Sequence, residues 1–162
     1  MERSLDGGRT WTKGEPLNDG RGLSAIQPTV LPHPRGGVQI LCRSRQGRIA
    51  ESWSEDRGLT WSPMELTDLP NPNSGIDAVL LADGQSLLVY NDATEGRERL
   101  NVATSADGKT WRKVLDLEDQ PGEYSYPAVI QTPDGLVHVT YTYRRRSIKH
   151  VVIDPKKLES SP

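Results

Sequence analysis

The carboxylates that recur in fixed company are Asp6, Asp56 and Asp107. Each lies two residues after a serine (Ser4, Ser54, Ser105) and is followed within five residues by Gly, Thr and Trp. Oxygens at this density could hold a calcium ion, but a calcium loop needs a run of acidic ligands and a closing Glu, and neither is present. No metal site is expected, and no organic cofactor. The densest positive charge is Tyr143-Arg144-Arg145-Arg146 with Lys149 and His150. It reads equally as a surface for an anion or as an edge strand blunted by charge. His138, in an alternating strand beside Tyr141, reads as structural.

The elements that must position these groups follow from the repeat. The copies are Ser4-Leu5-Asp6-Gly7-Gly8-Arg9-Thr10-Trp11, Ser54 to Trp61, and a copy shortened by one residue, Ser105 to Trp111, which places the tryptophans 50 residues apart both times. A fixed period of this size signals a solenoid, propeller or array. Asp accepts from nearby backbone N–H groups and Gly admits positive φ, so each copy predicts a tight turn whose Trp starts the next strand and buries its ring. Between the boxes, apolar runs alternate with turn signals. Residues 1–18 read as the outer strand of a preceding blade, 22–69 and 73–117 as complete blades, and 123–158 as a blade lacking its outer strand. Ile26–Leu31, Ile76–Leu81 and Tyr124–Ile130 are the expected inner strands, and Trp61–Leu66 the outer strand of the first complete blade.

Composition agrees. The chain of 162 residues is 34% apolar, lacks Phe, and holds 15 Gly and 12 Pro, which suits many short strands joined by turns. A net charge of −2 makes no case for a nucleic-acid partner. No apolar run approaches a membrane span, so no membrane partner is expected. The lone Cys42 forms no internal disulfide and does not identify a compartment.

The repeated motif resembles the Asp-box of the sialidase (neuraminidase) superfamily, also called the bacterial neuraminidase repeat. The resemblance implies an all-β fold, a β-propeller of sialidase type, with about three blades of a six-bladed ring present here. Two arrangements would complete that ring: a longer gene product of which this is the back half, or a homodimer in which each N-terminal strand completes the partner's last blade. The opening between strand and turn favours the fragment.

The resemblance also implies a site. Sialidases carry a nucleophilic Tyr in a short Tyr-Ser segment at the start of the last blade, before an Asp-Gly turn. Glu123-Tyr124-Ser125-Tyr126-Pro127 followed by Asp134-Gly135 is similar, with Tyr124 in the nucleophile's place and Tyr126 as the neighbouring candidate. They also carry a Glu on an earlier inner strand with an Arg about sixteen residues later, a spacing that Gln27 and Arg43 match. Gln27 departs from the pattern, because Gln cannot draw a proton from a phenol whose ordinary pKa is about 10. Asp77, Glu123 or Asp92 would have to substitute, or the chemistry differs. A second Arg of the carboxylate clamp falls at Arg97 or Arg99. Arg45, Arg144 and Asp77 are further expected substrate-binding positions. The planar guanidinium pairs bidentately with a carboxylate and stays charged, which is why Arg serves here. The family's first Arg and its Asp acid/base have no counterpart in this chain. The expected function is that of a sialidase-like exo-glycoside hydrolase, removing a terminal acidic sugar when the propeller is complete. A non-catalytic carbohydrate-binding propeller, or a related hydrolase or lyase for another sugar, is the alternative.

Overall fold

The computed structural model describes residues 1–158. The regular structure of the described residues is antiparallel strands in four sheets, with two short 3-10 turns. Strands β1 (Glu2–Arg3) and β2 (Thr12–Lys13) form a two-stranded ribbon. The first complete blade has the order β3 (Ala25–Pro32), β4 (Val38–Ser44), β5 (Arg48–Ser54), β6 (Glu65–Pro70). The second runs β7 (Asp77–Leu80), β8 (Ser86–Tyr90), β9 (Leu100–Ser105), β10 (Arg112–Glu118). The last has three strands, β11 (Tyr124–Gln131), β12 (Val137–Tyr143) and β13 (Ser147–Ile153). This is a partial sialidase-type propeller, and its sheets do not close into a ring among the described residues. No helix among these residues is long and apolar enough to cross a membrane.

Each Asp-box is a self-bonded corner. In the second, Ser54 Oγ donates to Asp56 Oδ1 at 2.8 Å and accepts from Gly58 N at 2.7 Å. Asp56 accepts from Leu59 N, Thr60 N and the Thr60 hydroxyl, and Trp61 Nε1 donates to Gly58 O at 3.2 Å. The Thr60 hydroxyl and N–H, with further help from Ser54 and Leu59, hold the Asp56 carboxyl down to about 2. Every carboxylate oxygen is thus taken by the turn itself. One boundary and one burial differ from the sequence expectation. Trp61 does not start a strand: Ser62 still bonds to Trp53 and Pro63 has no N–H to offer the ladder, so β6 begins only at Glu65. Trp11 is 63% exposed, so the first box leaves its ring at the surface rather than burying it.

The apolar faces of the blades pack on one another. Leu31, Leu41 and Ile49 of the first blade meet Ile76, Ala78, Leu88 and Tyr90 of the second. Leu87, Val89, Leu100 and Val102 of the second meet Tyr124, Val137, Val139 and Tyr141 of the third. Burial of each such side chain contributes about 1.5–3 kcal/mol. Cys42 belongs to a third cluster with Ala25, Ile40 and Ala50, and burial pushes its thiol up to about 11, which leaves it protonated and unreactive. The inner strands are joined by one carboxylate. Asp77 on β7 accepts from Thr29 Oγ1 of β3 at 2.8 Å and from Val129 N of β11 at 2.8 Å.

Candidate functional site

Two of the inner strands break their ladders at the same point. The β3–β4 register shifts between Ile26 and Pro28, and the β11–β12 register shifts between Ser125 and Ala128. The residues displaced are Gln27, with φ 54°, and Tyr126, with φ 52°. Left-handed backbone at residues of this size is uncommon and stores about 1–3 kcal/mol. Each precedes a proline, which disfavours the right-handed region for its neighbour and offers no N–H to the ladder. The bulge re-aims both side chains away from the blade core.

Tyr126 is 51% exposed and lies beside the arginines. The Arg97 guanidinium sits 5.6 Å from the centre of its ring. Hydrogen bonds from Arg43 and Arg97, and then the charge of Arg97, hold its phenol below the usual tyrosine range. Gly75 leaves room for the ring, because a Cβ there would approach Tyr126 Cδ1 to 3.1 Å. Tyr124 has a different setting. It is fully buried in the core between the second and third blades, and its ring lies 5.4 Å from that of Tyr143. Its hydroxyl accepts from Arg144 Nε at 3.3 Å. The strand pleat puts Tyr124 on the core, and the bulge two residues later puts Tyr126 on the surface.

Arg43 and Arg97 are held by one residue that sequence reasoning did not single out. Asn73, itself left-handed at φ 55°, accepts from Arg43 Nε on Oδ1 at 2.9 Å. Its backbone carbonyl accepts from Arg97 Nη2 at 3.2 Å. The loop that presents it is pinned by Asn71, whose side chain donates to Ser74 O and accepts from Ser74 N. The signal was present in the turn-rich string Asn71-Pro72-Asn73-Ser74-Gly75. Gln27 completes the setting of Arg43, accepting from Nη1 at 2.8 Å. Glu123 is the carboxylate of the cluster, paired with Arg97 Nη1 at 3.3 Å and with Arg145 Nε, and accepting from Ser125 Oγ at 3.2 Å. Burial raises its pKa, but Arg145, Ser125 and Arg97 together outweigh that and leave it below the ordinary value.

The remaining sequence-expected residues lie elsewhere. Asp77 is occupied as the clasp between inner strands and so is not a free carboxylate beside this cluster. Asp92 pairs with Lys113 at 3.4 Å. Arg99 is exposed and enters the structure through its carbonyl, which accepts from Asn91 Nδ2. Arg45 is exposed at the end of β4, with its N–H on Ser24 O. Arg144 caps Tyr124 and lies over the Tyr143 ring at 5.3 Å. His138 stacks on His150 on the outer face of the last blade. The groups that come together are therefore Gln27, Arg43, Asn73, Arg97, Glu123 and Tyr126. This set can grip an anion with two guanidinium groups and place an oxygen nucleophile beside it.

Comparison with known proteins is consistent over nearly the whole chain. The BNR repeat-like domain family matches residues 1–139. A sialidase of Micromonospora viridifaciens is 29% identical over 151 residues, covering 85% of this chain and 22% of that protein. The intramolecular trans-sialidase of Ruminococcus gnavus, solved in complex with oseltamivir carboxylate, superposes with a TM-score of 0.82 at 23% identity, covering 99% of this chain and 39% of that one. A leech intramolecular trans-sialidase, complexed with 2,7-anhydro-Neu5Ac, gives 0.80 at 22% identity, with 97% and 27% covered. The chain thus spans well under half the length of each of these relatives.

Proposed function

Because the chain belongs to the BNR repeat-like domain family, within the sialidase superfamily, we propose that it carries half of the site of an exo-acting glycoside hydrolase for a terminal acidic sugar. The observation that supports this most directly is the Arg97 guanidinium over the Tyr126 ring, with Arg43 held on the same residue, Asn73, as Arg97. In this reading the two guanidinium groups take the sugar carboxylate, each charge-assisted pair being roughly twice as strong as a neutral hydrogen bond. Tyr126 Oη, exposed and held by the arginines below the usual tyrosine range, gives its proton to solvent water and attacks the anomeric carbon as the bond to the leaving oxygen breaks. Water then releases the sugar from the tyrosine. Tyr126 is preferred to Tyr124 because a nucleophile must reach its substrate. Protonation of the leaving group and the third arginine of the clamp belong to the rest of a complete propeller.

Gln27 favours a second reading, in which the site binds an acidic sugar without cleaving it. A neutral amide beside Arg43 accepts no proton from Tyr126. The first test is saturation-transfer NMR of this chain with N-acetylneuraminic acid, glucuronic acid and galactose. Signals from the acids that disappear in Arg43→Gln are expected. Equal retention of galactose overturns the acidic-sugar reading. Hydrolysis of an aryl sialoside by the ring-complete protein, abolished in Tyr126→Phe, then separates catalysis from binding. Turnover that survives that replacement removes Tyr126 from the mechanism.

A further inference from the structure

The turn between β12 and β13 carries arginine where a turn of its kind does not favour it. Arg146 N donates to Tyr143 O at 3.0 Å, and Arg144 and Arg145 between them stand at φ 54° and 55°. Two central residues with positive φ are the mark of a type I′ turn, which favours Asn-Gly because a Cβ crowds left-handed backbone. The fold nevertheless holds this turn firmly against the start of the strand that presents Tyr126. Tyr143 pairs with Tyr124 in the β11–β12 ladder, and Arg144 N donates to Glu123 O at 2.7 Å. Gly122 leaves room for it, because a Cβ there would come to 2.7 Å from Tyr124 Oη and 3.2 Å from Arg144 Cγ. Arg145 Nε then meets one oxygen of Glu123 and Arg97 Nη1 the other. One carboxylate therefore separates the arginine of the turn from the arginine over the Tyr126 ring.

Charge is out of balance there. Glu123 faces both Arg97 and Arg145, Arg43 rests on the neutral oxygens of Gln27 and Asn73, and the exposed Arg146 makes no ion pair among the described residues. Among these groups four guanidinium charges stand against one carboxylate. The ion pair of Arg145 does not account for the strained turn, because its side chain is 71% exposed and such pairs contribute little. Blunting of a sheet edge does not account for it either, since Lys149 on β13 supplies a charge there without strain. We infer that the 143–146 turn is a second anion subsite at the rim of the cleft, and that the ligand it fits carries a further negative group on the sugar next to the terminal acid. This rests on the acidic-sugar reading above and extends it from one charge to two. The terminal carboxylate takes Arg43 and Arg97, and the neighbouring sugar's carboxylate or sulfate ester takes Arg145 and Arg146. A guanidinium has a fork of N–H donors, so Arg145 can keep Glu123 and hold a ligand oxygen together.

The test is calorimetric titration of lactose, sialyllactose, sialyllactose sulfated on its galactose, and disialic acid into the chain. The same titrations are made on Arg145→Gly and Arg146→Gln, with Tm followed for each. One added charge-assisted pair predicts about tenfold tighter binding of a two-charge ligand than of sialyllactose. In both variants that ratio should fall toward one, and in the parent it should shrink as salt is raised. Arg145→Gly puts the favoured residue into the turn, so its Tm should hold or rise by about 2–4 °C. A gain for disialic acid alone assigns the subsite to a carboxylate, and a gain for the sulfated sugar alone assigns it to a sulfate ester. If neither two-charge ligand outbinds sialyllactose, or if the gain survives both replacements, the subsite is wrong while the acidic-sugar reading stands. A clear fall in the Tm of Arg145→Gly would mean that this arginine is kept for stability instead. If sialyllactose binds no better than lactose, both fail together.

Discussion

Asp77 separates a pocket residue from a structural clasp, and replacing it decides between them. Its two oxygens accept from Thr29 Oγ1 and Val129 N, so one side chain on β7 ties β3 and β11 across the blade boundaries. In Asp77→Ala both bonds are lost, and Val129 N is left without a partner beside the core. Bonds to a charged acceptor contribute about 1.5–3 kcal/mol each, and the site is partly exposed, so the lower end applies and the loss is about 3 kcal/mol. For a domain of this size each kcal/mol moves the midpoint by roughly 2–4 °C, so the expected fall in Tm is about 6–12 °C. Asp77→Asn should be much milder. Its oxygen can still accept from Val129 N, while its amide can donate to the Thr29 hydroxyl, which can rotate toward Ala78 O, now 3.4 Å away. Its loss is about 1 kcal/mol, the value of one ordinary hydrogen bond. Urea denaturation followed by tryptophan fluorescence and by circular dichroism measures both variants, with N-acetylneuraminic acid binding as the second readout. The reasoning is refuted if Asp77→Ala keeps the parent's stability, or if Asp77→Asn abolishes binding without loss of stability. The first result would remove the clasp, and the second would give Asp77 a part in binding.

Three further predictions test the surrounding geometry. Gly75→Ala drives a Cβ to 3.1 Å from Tyr126 Cδ1, so ligand affinity should fall several-fold with a stability change under about 1 kcal/mol; an unchanged affinity would show that the ring position is not critical. Hydrogen bonds from the turn, led by the backbone N–H of Thr10 and the hydroxyl of Thr60, hold the Asp6 and Asp56 carboxyls to about 2. A depressed folded pKa means stabilisation that is complete above the unfolded value near 4 and is lost as pH falls through the folded value, so stability should drop from about pH 4 down to about pH 2. Carboxyl carbon NMR that shows either group titrating near 4 in the folded chain contradicts the box geometry. Tyr124→Phe removes only the hydroxyl that Arg144 caps and should change stability by about 1 kcal/mol, whereas Tyr124→Ala empties a core position and should lose about 3–5 kcal/mol. Equal effects of the two on denaturation would mean that Tyr124 is not packed as described.

Much of the architecture was legible in the residues. Ser, Asp, Gly, Thr and Trp at set positions close a corner through their own side chains and the backbone beside them, so three such corners and their period are local properties. Apolar alternation between turn signals pointed to strands between them, and the family resemblance put Gln27 and Arg43 together, which the structure joins by a hydrogen bond. Less legible was the start of β6. Trp61 satisfied the strand propensity, and the bonds that Ser62 makes back to Trp53 delayed the ladder.

The choice between Tyr124 and Tyr126 shows where local reading stops. Residues two apart share a face in a regular strand, and the family resemblance put Tyr124 in the nucleophile's place with Tyr126 as the neighbouring candidate. The bulge separates the two: from the neighbouring blade Gly75 admits the Tyr126 ring and Arg97 covers it, while Tyr143 and Arg144 of its own blade enclose Tyr124. Arg97 is distinguished from Arg99 in the same manner, by Asn73 and Glu123 from other parts of the chain. Asp77 reads as an inner-strand carboxylate in the sequence and becomes a clasp only when β3 and β11 lie on either side of it. The sequence by itself determined the turns, the period and hence the family, because those depend on residues in contact along the chain. Only the tertiary structure decided that Arg43, Asn73, Arg97 and Tyr126 meet, because they come from different blades and lie tens of residues apart in sequence.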